Sequence, residues 1–368
     1  MSVHRVLASV DLKALQHNFR IARSHAGPGK VAAVIKANAY GHGLEQAAGA
    51  LDDADLFGVT DVNEALTLKH TGTDKPILIL QGLMTAEDLK PVTQEGFQLV
   101  VHSAEQLVIL DENLSSMAIK KPLTFWLKMD SGMGRLGIPP QDFAAAYRAL
   151  LNRPYTKRVV MMTHLANSSL PDSSLNLQQL KAFRNVEADM VTDCPATSIP
   201  SSSGILSSLD TGSTWARPGI MLYGSSPFGF AQEGLRRDSF NLQAVMTLKA
   251  RIIAVKNLRQ GDNVGYCSQF ICPHDMRIGI VSIGYADGYP SNAPNGTPVM
   301  VNGQRTQTVG RVSMDMLAVD LSNMDASVGD LATLWGKDLS LDEVAAKTGI
   351  LSYNLTCSIS RRVPFEYV

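Results

Sequence analysis

A set of basic side chains could do chemistry in this sequence, because each lies at or just beyond the end of a short apolar run. A lysine forms a Schiff base only as the free amine, so its pKa must be lowered by burial or by a cationic neighbour. Lys36, which ends the first of these runs, is therefore a candidate covalent lysine in the positive field of the others. The side chains are Lys36, Lys128, Arg135, His164 and Arg217.

Two glycine-containing segments, Ser201–Gly204 and Arg217–Ile220, each open a predicted helix. Backbone N–H groups and the positive end of the dipole make a helix start a binding site for phosphate. Taken singly, these features are ordinary, since a lysine at a strand end is usually solvated and a serine cluster usually only starts a helix. Together, a phosphate cradle and a reactive lysine indicate a phosphorylated cofactor that is held covalently.

The elements that must position these residues are eight short runs rich in Val, Ile and Leu, as expected for parallel strands that are buried on both faces. Helical segments alternate with them, the clearest being Asp61–His70, Gln141–Leu151 and Leu175–Met190. The pattern predicts an α/β fold, a (β/α)8 TIM-like barrel with its site at the carboxyl ends of the strands. The predicted strands are Val31–Ile35, Leu56–Thr60, Ile77–Leu80, Gln98–His102, Leu123–Met129, Val159–His164, Thr197–Pro200 and Trp215–Arg217.

The chain changes character after about Phe230, where the pattern predicts a mostly antiparallel β domain. We expect a barrel over 1–235, whose first residues pair with the β domain, and the β domain itself over 236–368. Asn302-Gly303 is a hairpin turn signal, and a capping box at Ser340–Glu343 with a C-cap at Gly349 predicts one helix. The predicted strands are Leu242–Leu258, Met276–Ile283, Thr297–Val301, Gly310–Leu321 and Asp330–Trp335.

The composition narrows the class of protein. A net charge of −1, from 33 basic and 34 acidic residues without blocks of like charge, argues against nucleic acid or an anionic membrane as a partner. The N-terminus lacks the apolar run of a signal peptide, and no stretch is long enough to span a membrane, so we expect a cytoplasmic protein. The cysteines lack C-x-x-C spacing and predict neither a zinc site nor disulfides; they are Cys194, Cys267, Cys272 and Cys357.

Several ordered motifs along the whole chain resemble those of the alanine racemases, barrel-type enzymes that use pyridoxal 5'-phosphate (PLP). AVIKANAYGHG at 33–43 is similar to the family's cofactor-lysine motif. The other matching segments are LKMDSGMGRLG at 127–137, ARPGIMLYG at 216–224, VGYCSQF at 264–270, IGYADGYP at 283–290, GRVSMDM at 310–316 and ISRRVP at 359–364.

The resemblance implies a PLP site at the barrel mouth. Lys36 would hold the cofactor covalently and act as the base on one face of the substrate. The cofactor's phosphate would contact Tyr40, Ser202 and the backbone N–H groups of Gly219 and Ile220.

The resemblance also assigns roles to the other basic residues. Arg217 would face the pyridine nitrogen with support from His164, and Arg135 would contact the cofactor's phenolic oxygen and the substrate carboxylate. Lys128, a candidate for carbamylation, would steady Arg135. Because arginine stays protonated, Arg217 can donate a hydrogen bond to the ring without protonating it, which sacrifices rate but limits side reactions.

The second base implied by the resemblance is Tyr266, supplied by the other subunit of a homodimer with shared active sites. A tyrosine, with an ordinary pKa of about 10, needs a cationic environment to act as a base. Tyr353, counted with the cofactor contacts, would line the substrate entrance with the backbone of Met314 and Asp315.

The sequence departs from the family pattern in two places. Ser201-Ser202 stands where the family usually has Asn-Ser, and Ser313 stands where it commonly has cysteine. We expect the phosphate contact of Ser202 to survive, and the similar size and polarity of Ser313 to leave the substrate fit nearly unchanged.

The expected function is therefore racemisation of L- and D-alanine by a two-base mechanism, which supplies D-alanine for peptidoglycan. A serine or broad-specificity racemase of the same fold is the alternative, although periplasmic relatives of that kind carry signal peptides. A basic amino-acid decarboxylase would be expected to have a carboxylate in place of Arg217. A non-catalytic PLP carrier would resemble the barrel alone, and residues 240–368 with Tyr266 argue against it.

Overall fold

The structure is a computed structural model that describes residues 4–115, 119, 121–190, 195–207, 209, 211–230 and 233–368. Cys194 lies outside the described residues. The chain divides into two compact units. The barrel unit comprises Phe19–Ala39 and Ala47–Leu222, and the sheet unit comprises the described part of Met1–Asn18 together with Tyr40–Gln46 and Tyr223–Val368.

Strands and helices alternate in the first part of the chain, and strands predominate in the second. The strands are β1 Val6–Val10, β2 Lys30–Val34, β3 Leu56–Val59, β4 Ile77–Ile79, β5 Gln98–Val101, β6 Leu123–Lys128, β7 Thr156–Met162, β8 Ala196–Ser201, β9 Trp215–Arg217, β10 Met246–Leu258, β11 Asn263–Val264, β12 Phe270–Ile271, β13 Met276–Val281, β14 Pro298–Val301, β15 Gln304–Val309, β16 Leu317–Asp320, β17 Leu331–Trp335 and β18 Phe365–Tyr367.

The helices are mostly short, and the longest has 15 residues. They are α1 Leu12–His25, α2 Lys36–Gly41, α3 Leu44–Ala50, α4 Val62–His70, α5 Leu89–Glu95, α6 Ala104–Leu114, α7 Pro140–Leu151, α8 Ser174–Ala188, α9 Ser202–Leu206, α10 Leu341–Thr348 and α11 Ser352–Cys357. Among the described residues, no helix is both long and apolar enough to cross a membrane.

Strands β2 to β9 form the closed parallel barrel that the sequence predicts. Each predicted strand is present, with its ends shifted by three residues at most. Seven of the eight strands contribute to a contiguous cluster of buried side chains, as expected for a barrel whose interior is a packed core. These are Ala32, Leu56, Leu78, Val100, Trp126, Val160, Met162 and Trp215.

The three predicted barrel helices correspond to α4, α7 and α8. Asp61 caps α4, because its carboxylate accepts the backbone N–H of Glu64, and Ser103 caps α6 in the same way through Gln106. Such caps satisfy backbone donors that the helix itself leaves unpaired. They fix where α4 begins after β3 and where α6 begins after β5.

The sheet unit is an eight-stranded sheet in the order β13-β16-β15-β14-β17-β10-β1-β18. It is antiparallel except where β1 runs parallel to β18. The predicted hairpin joins β14 to β15, and both turn residues, Asn302 and Gly303, have the positive φ (49° and 76°) that such a turn requires. The return strand Gln304–Val309 was not predicted, because QRTQTV has no clear apolar alternation. The strand predicted over Gly310–Leu321 is confined to Leu317–Asp320.

Among the described residues after β10, two helices rather than the single predicted one interrupt the strands. Ser340 caps α10 by accepting the N–H of Asp342, and the helix ends at Gly349, whose φ is 71°. The carboxylate of Glu343 pairs with Arg305. The unpredicted helix, α11, has only six residues and carries Tyr353.

Gly224, which ends the ARPGIMLYG motif, packs closely against the backbone of Gln243, and substitution can test this packing. Its φ is +77°, and a Cβ there would lie 1.9 Å from the carbonyl oxygen of Gln243, whereas Gly229 has φ +76° and open space around it. Gly229→Ala should lower the free energy of unfolding by about 1–2 kcal/mol, the cost of a left-handed alanine. Gly224→Ala should cost about 1–3 kcal/mol more through the clash. Equal losses in urea unfolding would contradict this packing.

Candidate active site

The basic residues singled out in the sequence meet at one mouth of the barrel. Lys36 follows β2, Lys128 ends β6 and Arg217 ends β9, so parallel strands carry them to the same end. Arg135 and His164 lie just beyond β6 and β7. The positive charges are close enough that all four act on the titration of His164. The barrel unit therefore holds a cluster of four cations around one imidazole.

Arg217 is the buried member of this cluster, with 4% of its surface exposed. Its Nη2 donates to the carbonyl oxygens of Thr163 (2.7 Å) and Ile199 (3.1 Å), and its Nη1 donates to the hydroxyl of Ser198. Burial lowers the pKa of Arg217 to about 10, so it remains a cation at neutral pH. These neutral acceptors orient the guanidinium without cancelling its charge.

His164 is held neutral by its surroundings. Burial is the largest cause, followed by the charges of Arg217, Lys128, Arg135 and Lys36, and together they lower the pKa of His164 to about 3. Its Nδ1 lies 3.5 Å from Nη2 of Arg217. Because a guanidinium can only donate, a hydrogen bond at this distance would require Nδ1 as the acceptor and the imidazole proton on Nε2.

Lys128 is a buried lysine with 7% of its surface exposed. Burial, then the charges of Arg217 and Arg135, lower its pKa to about 8, although Asp130 acts in the opposite direction. About a tenth of Lys128 is therefore the free amine at pH 7, and this fraction is a nucleophile.

Asp130 organises the turn that leads to Arg135. Its Oδ1 accepts the backbone N–H groups of Gly132, Met133 and Gly134 at 2.9–3.1 Å. Although burial raises the pKa of Asp130, these three donors lower it overall. Residues 132–137 have G-x-G-x-x-G spacing, but they form this turn between β6 and α7 and open no helix, so a dinucleotide site is not present there.

The two glycine-containing segments meet as the sequence indicated. The hydroxyl of Ser202, at the start of α9, accepts the backbone N–H groups of Gly219 (2.9 Å) and Met221 (3.3 Å). Ile220 begins a 3-10 turn, Ile220–Tyr223, in place of the expected helix. Ser202 is 4% exposed and Ile220 is 1% exposed. Two backbone donors and a hydroxyl thus converge in a sheltered place.

The turn after Lys36 has an unusual backbone that the sequence analysis missed. Ala37, Asn38, Ala39 and Tyr40 all have φ of +53°, so α2 is a left-handed turn. For residues other than glycine this costs about 1–2 kcal/mol each. A carboxylate oxygen of Glu64 accepts the N–H of Ala37 at 2.7 Å and helps to hold the turn. Asparagine and two glycines in ANAYGHG were the only signal in the sequence.

Tyr40 and Tyr353 lie together in the sheet unit. Their ring centroids are 5.9 Å apart, and Tyr40 also packs on Tyr223 at 4.8 Å. Burial raises the pKa of Tyr40 strongly and that of Tyr353 to about 12. Both side chains therefore remain phenols at neutral pH, able to donate a hydrogen bond but not to act as bases.

Tyr266 differs from these two tyrosines because 66% of its surface is exposed in the single chain. It begins a 3-10 turn in which Cys267 and Ser268 have φ of 58° and 50°, and Gly265 before it has φ of 74°. Positive φ values on both sides of Tyr266, two of them at residues other than glycine, mark a strained, specific backbone, as is common at functional sites.

Met314 and Asp315 lie in a segment held by a network of charged residues. Met314 is 53% exposed, and Asp315 accepts Nη2 of Arg362 at 2.7 Å. Arg362 also approaches the fully buried Asp287 at 3.6 Å, which Arg5 pairs with from the N-terminal part of the chain. Asp287 and Arg362 belong to the IGYADGYP and ISRRVP motifs, to which the sequence analysis gave no role.

Comparison with known proteins identifies the family. The alanine racemase N-terminal domain matches residues 10–227 and the C-terminal domain matches residues 245–367. This chain belongs to the alanine racemase family. It is 44% identical over 363 residues to the catabolic alanine racemase of Pseudomonas putida, with 98% of each chain covered.

Solved alanine racemases have the same architecture. The biosynthetic enzyme from Pseudomonas aeruginosa superposes with a TM-score of 0.93 at 40% identity, covering 99% of each chain. The enzyme from Bartonella henselae, crystallised with covalently bound pyridoxal phosphate, has a TM-score of 0.88 at 29% identity and covers 99% of this chain and 100% of its own. The chain is thus a PLP-dependent amino-acid racemase by family.

The residues of the barrel mouth fit PLP as an anionic, phosphorylated ligand. The hydroxyl of Ser202 and the N–H groups of Gly219 and Met221, which are bonded to it, bring polar hydrogens together at the start of α9. The cation cluster is not neutralised from within, since no ion pair among the described residues includes Arg135, Lys128 or Arg217. A ligand with phosphate and phenolate oxygens would supply the missing negative charge.

The neutral state of His164 predicts how stability depends on pH. Its pKa is lowered to about 3 in the folded chain, against about 6.5 when unfolded. Between these values the unfolded chain binds the extra proton, so the folded state loses stability as pH falls from about 6.5 towards 3. The urea-unfolding free energy of the wild type should fall more steeply over this interval than that of His164→Gln. Parallel curves would contradict the assignment.

Proposed function

We propose that this chain interconverts L- and D-alanine with PLP and two opposed bases, Lys36 and Tyr266. The observation that carries the proposal is the cluster of four cations around a neutral histidine, beside a cradle of backbone donors. When bound, PLP supplies the conjugated ring that makes the α-proton of an amino acid removable. Lys36 is the residue that would hold it, and Ser202, Tyr40 and the N–H of Gly219 and Ile220 would bind its phosphate.

The other cations set the environment of the reaction. Arg135 would bind the substrate carboxylate, and Arg217 would donate a hydrogen bond to the ring nitrogen of the bound cofactor. Because His164 is neutral and only accepts from Arg217, it orients this guanidinium without adding charge. Lys36 is the residue whose Nζ would take or return the α-proton on one face.

Tyr266 is the base we assign to the opposite face, contributed by the partner subunit of a homodimer. Tyr266 is 66% exposed in the single chain. This exposure supports the assignment, because a base must be shielded from water to act in a positive field, and a partner subunit would provide that shielding. Exposed apolar side chains of the same unit also favour a partner surface; they include Ile271, Tyr285, Met314 and Met316. Met314, Asp315 and Tyr353 are assigned to the substrate entrance.

Lys128 is proposed to carry a carbamate. Its free amine attacks carbon dioxide, a bond forms between Nζ and carbon, and the nitrogen releases a proton to solvent. The pKa of about 8 supports this chemistry, because the amine need not remain charged at neutral pH. The carbamate carries a negative charge that would pair with Arg135. It would also replace the positive charge of the Lys128 ammonium.

The biological role we propose is supply of D-alanine for peptidoglycan in the cytoplasm. The relatives include proteins described as biosynthetic and as catabolic, so assays of both directions are informative. A barrel-only PLP carrier is disfavoured because the chain has a complete second unit with Tyr266.

Complementation of two inactive variants tests the enzyme, both bases and the shared site together. Wild type supplied with PLP should racemise alanine in preference to serine, and Lys36→Ala and Tyr266→Phe should each be inactive. Random exchange of subunits makes half of the dimers mixed, and one of the two sites in each mixed dimer is intact. About a quarter of native activity should therefore return.

Proof that subunits have exchanged comes from differently tagged chains that purify together. If exchange is proven and activity does not return, the shared site is refuted. If the wild type does not racemise alanine at all, the function itself is refuted.

A further inference from the structure

Gln179 is a buried amide on α8, and its side-chain hydrogen-bond partners lie outside that helix. It is 0% exposed. Its Oε1 accepts the backbone N–H of Ala166 at 2.8 Å, and its Nε2 donates to the carbonyl oxygen of His164 at 3.2 Å and to Oγ of Ser131 at 3.3 Å. The two backbone partners fix the orientation of the amide, since one can only donate and the other can only accept.

The contact with Ser131 begins a hydrogen-bond chain with one direction. Oγ1 of Thr163 donates to the carbonyl oxygen of Met129 at 2.9 Å, so it has no proton left for Ser131. The 2.8 Å contact between the two hydroxyls must therefore run from Ser131 to Thr163. Ser131 in turn accepts from Gln179. The chain runs from Gln179 through Ser131 and Thr163 to Met129, and the N–H of Gln179 is the donor at its start.

This chain connects both halves of the cation cluster. Ser131 lies in the segment that leads from Lys128 to Arg135, and a Cβ on Gly132 would lie 3.4 Å from Cγ of Gln179. On the other side, the carbonyl oxygen of Thr163 accepts Nη2 of Arg217. The same side chain thus touches the segment that carries Arg135 and the segment that orients Arg217.

We propose that Gln179 is a positioning residue that holds the Arg135 segment in register with the His164–Arg217 pair. The inference rests on the proposed function, in which Arg135 binds the substrate carboxylate. Gln179 itself touches neither substrate nor cofactor in this account. Its loss should therefore weaken carboxylate binding more than it slows proton transfer.

Gln179→Met keeps the volume of the side chain and removes all three hydrogen bonds, and Ser131→Ala is a smaller change that breaks only the chain. We expect KM for alanine to rise by roughly ten- to a hundredfold in Gln179→Met, because small misplacements of a binding group have effects of that size. The holoenzyme should bind propionate, a carboxylate of the same size without an amino group, more weakly by a similar factor. Perturbation of the cofactor's visible absorbance measures this binding without turnover.

Two controls separate positioning from charge and from stability. Gln179→Glu removes the N–H donor and should behave like Gln179→Met, while Gln178→Glu adds the same charge to an exposed side chain of the same helix and should leave propionate binding unchanged. Asn176 is also buried on α8, but its amide bonds the carbonyls of Asn167 and Leu170. Asn176→Ala should lower the melting temperature with little effect on propionate binding.

Two results would overturn the positioning role of Gln179. Wild-type KM and propionate affinity in folded Gln179→Met holoenzyme would overturn it, as would an equal loss of propionate affinity in Asn176→Ala. If Gln179→Met does not fold, Ser131→Ala decides, with unchanged propionate affinity again overturning it. A wild type that neither racemises alanine nor binds propionate would instead refute the proposed function, and this inference with it.

Discussion

Burial of the Arg217 guanidinium at the mouth of the barrel is the constraint on which the site depends. A buried cation is costly unless acceptors surround it, and here the carbonyls of Thr163 and Ile199 and the hydroxyl of Ser198 do so without neutralising it. Burial is the largest cause of the lowered pKa values of His164 and Lys128, and the charge of Arg217 lowers both further. The site therefore carries positive charge that suits an anionic ligand before any ligand binds.

Unfavourable backbone conformations appear beside the two residues proposed as bases. Ala37 to Tyr40 follow Lys36 in a left-handed turn, and Cys267 and Ser268 follow Tyr266 with positive φ. Such conformations persist only where the surrounding structure compensates, as Glu64 does for the first turn. In both units, a rigid framework of strands thus fixes a short strained segment that presents one reactive side chain.

The strands of the barrel were predictable because a doubly buried strand reads as a continuous apolar run, and the residues after each run identified the cation cluster. Gln179 was not predictable, since a buried glutamine cannot be told from an exposed one on an amphipathic helix. Strand β15 and helix α11 were not predicted, because their polar residues give no periodic signal. The left-handed turn after Lys36 depends on contacts from Glu64, 27 residues away in sequence, that no local pattern reveals.

The cation cluster is proposed to direct PLP to Lys36. Lys128 is the natural competitor, because its pKa of about 8 also makes it a nucleophile. Reduction of the holoenzyme with borohydride, followed by proteolysis and mass spectrometry, would fix the cofactor to the lysine that holds it. We expect the modification on the peptide that contains Lys36 and not on the peptide that contains Lys128. Modification of Lys128, or of neither lysine, would contradict it.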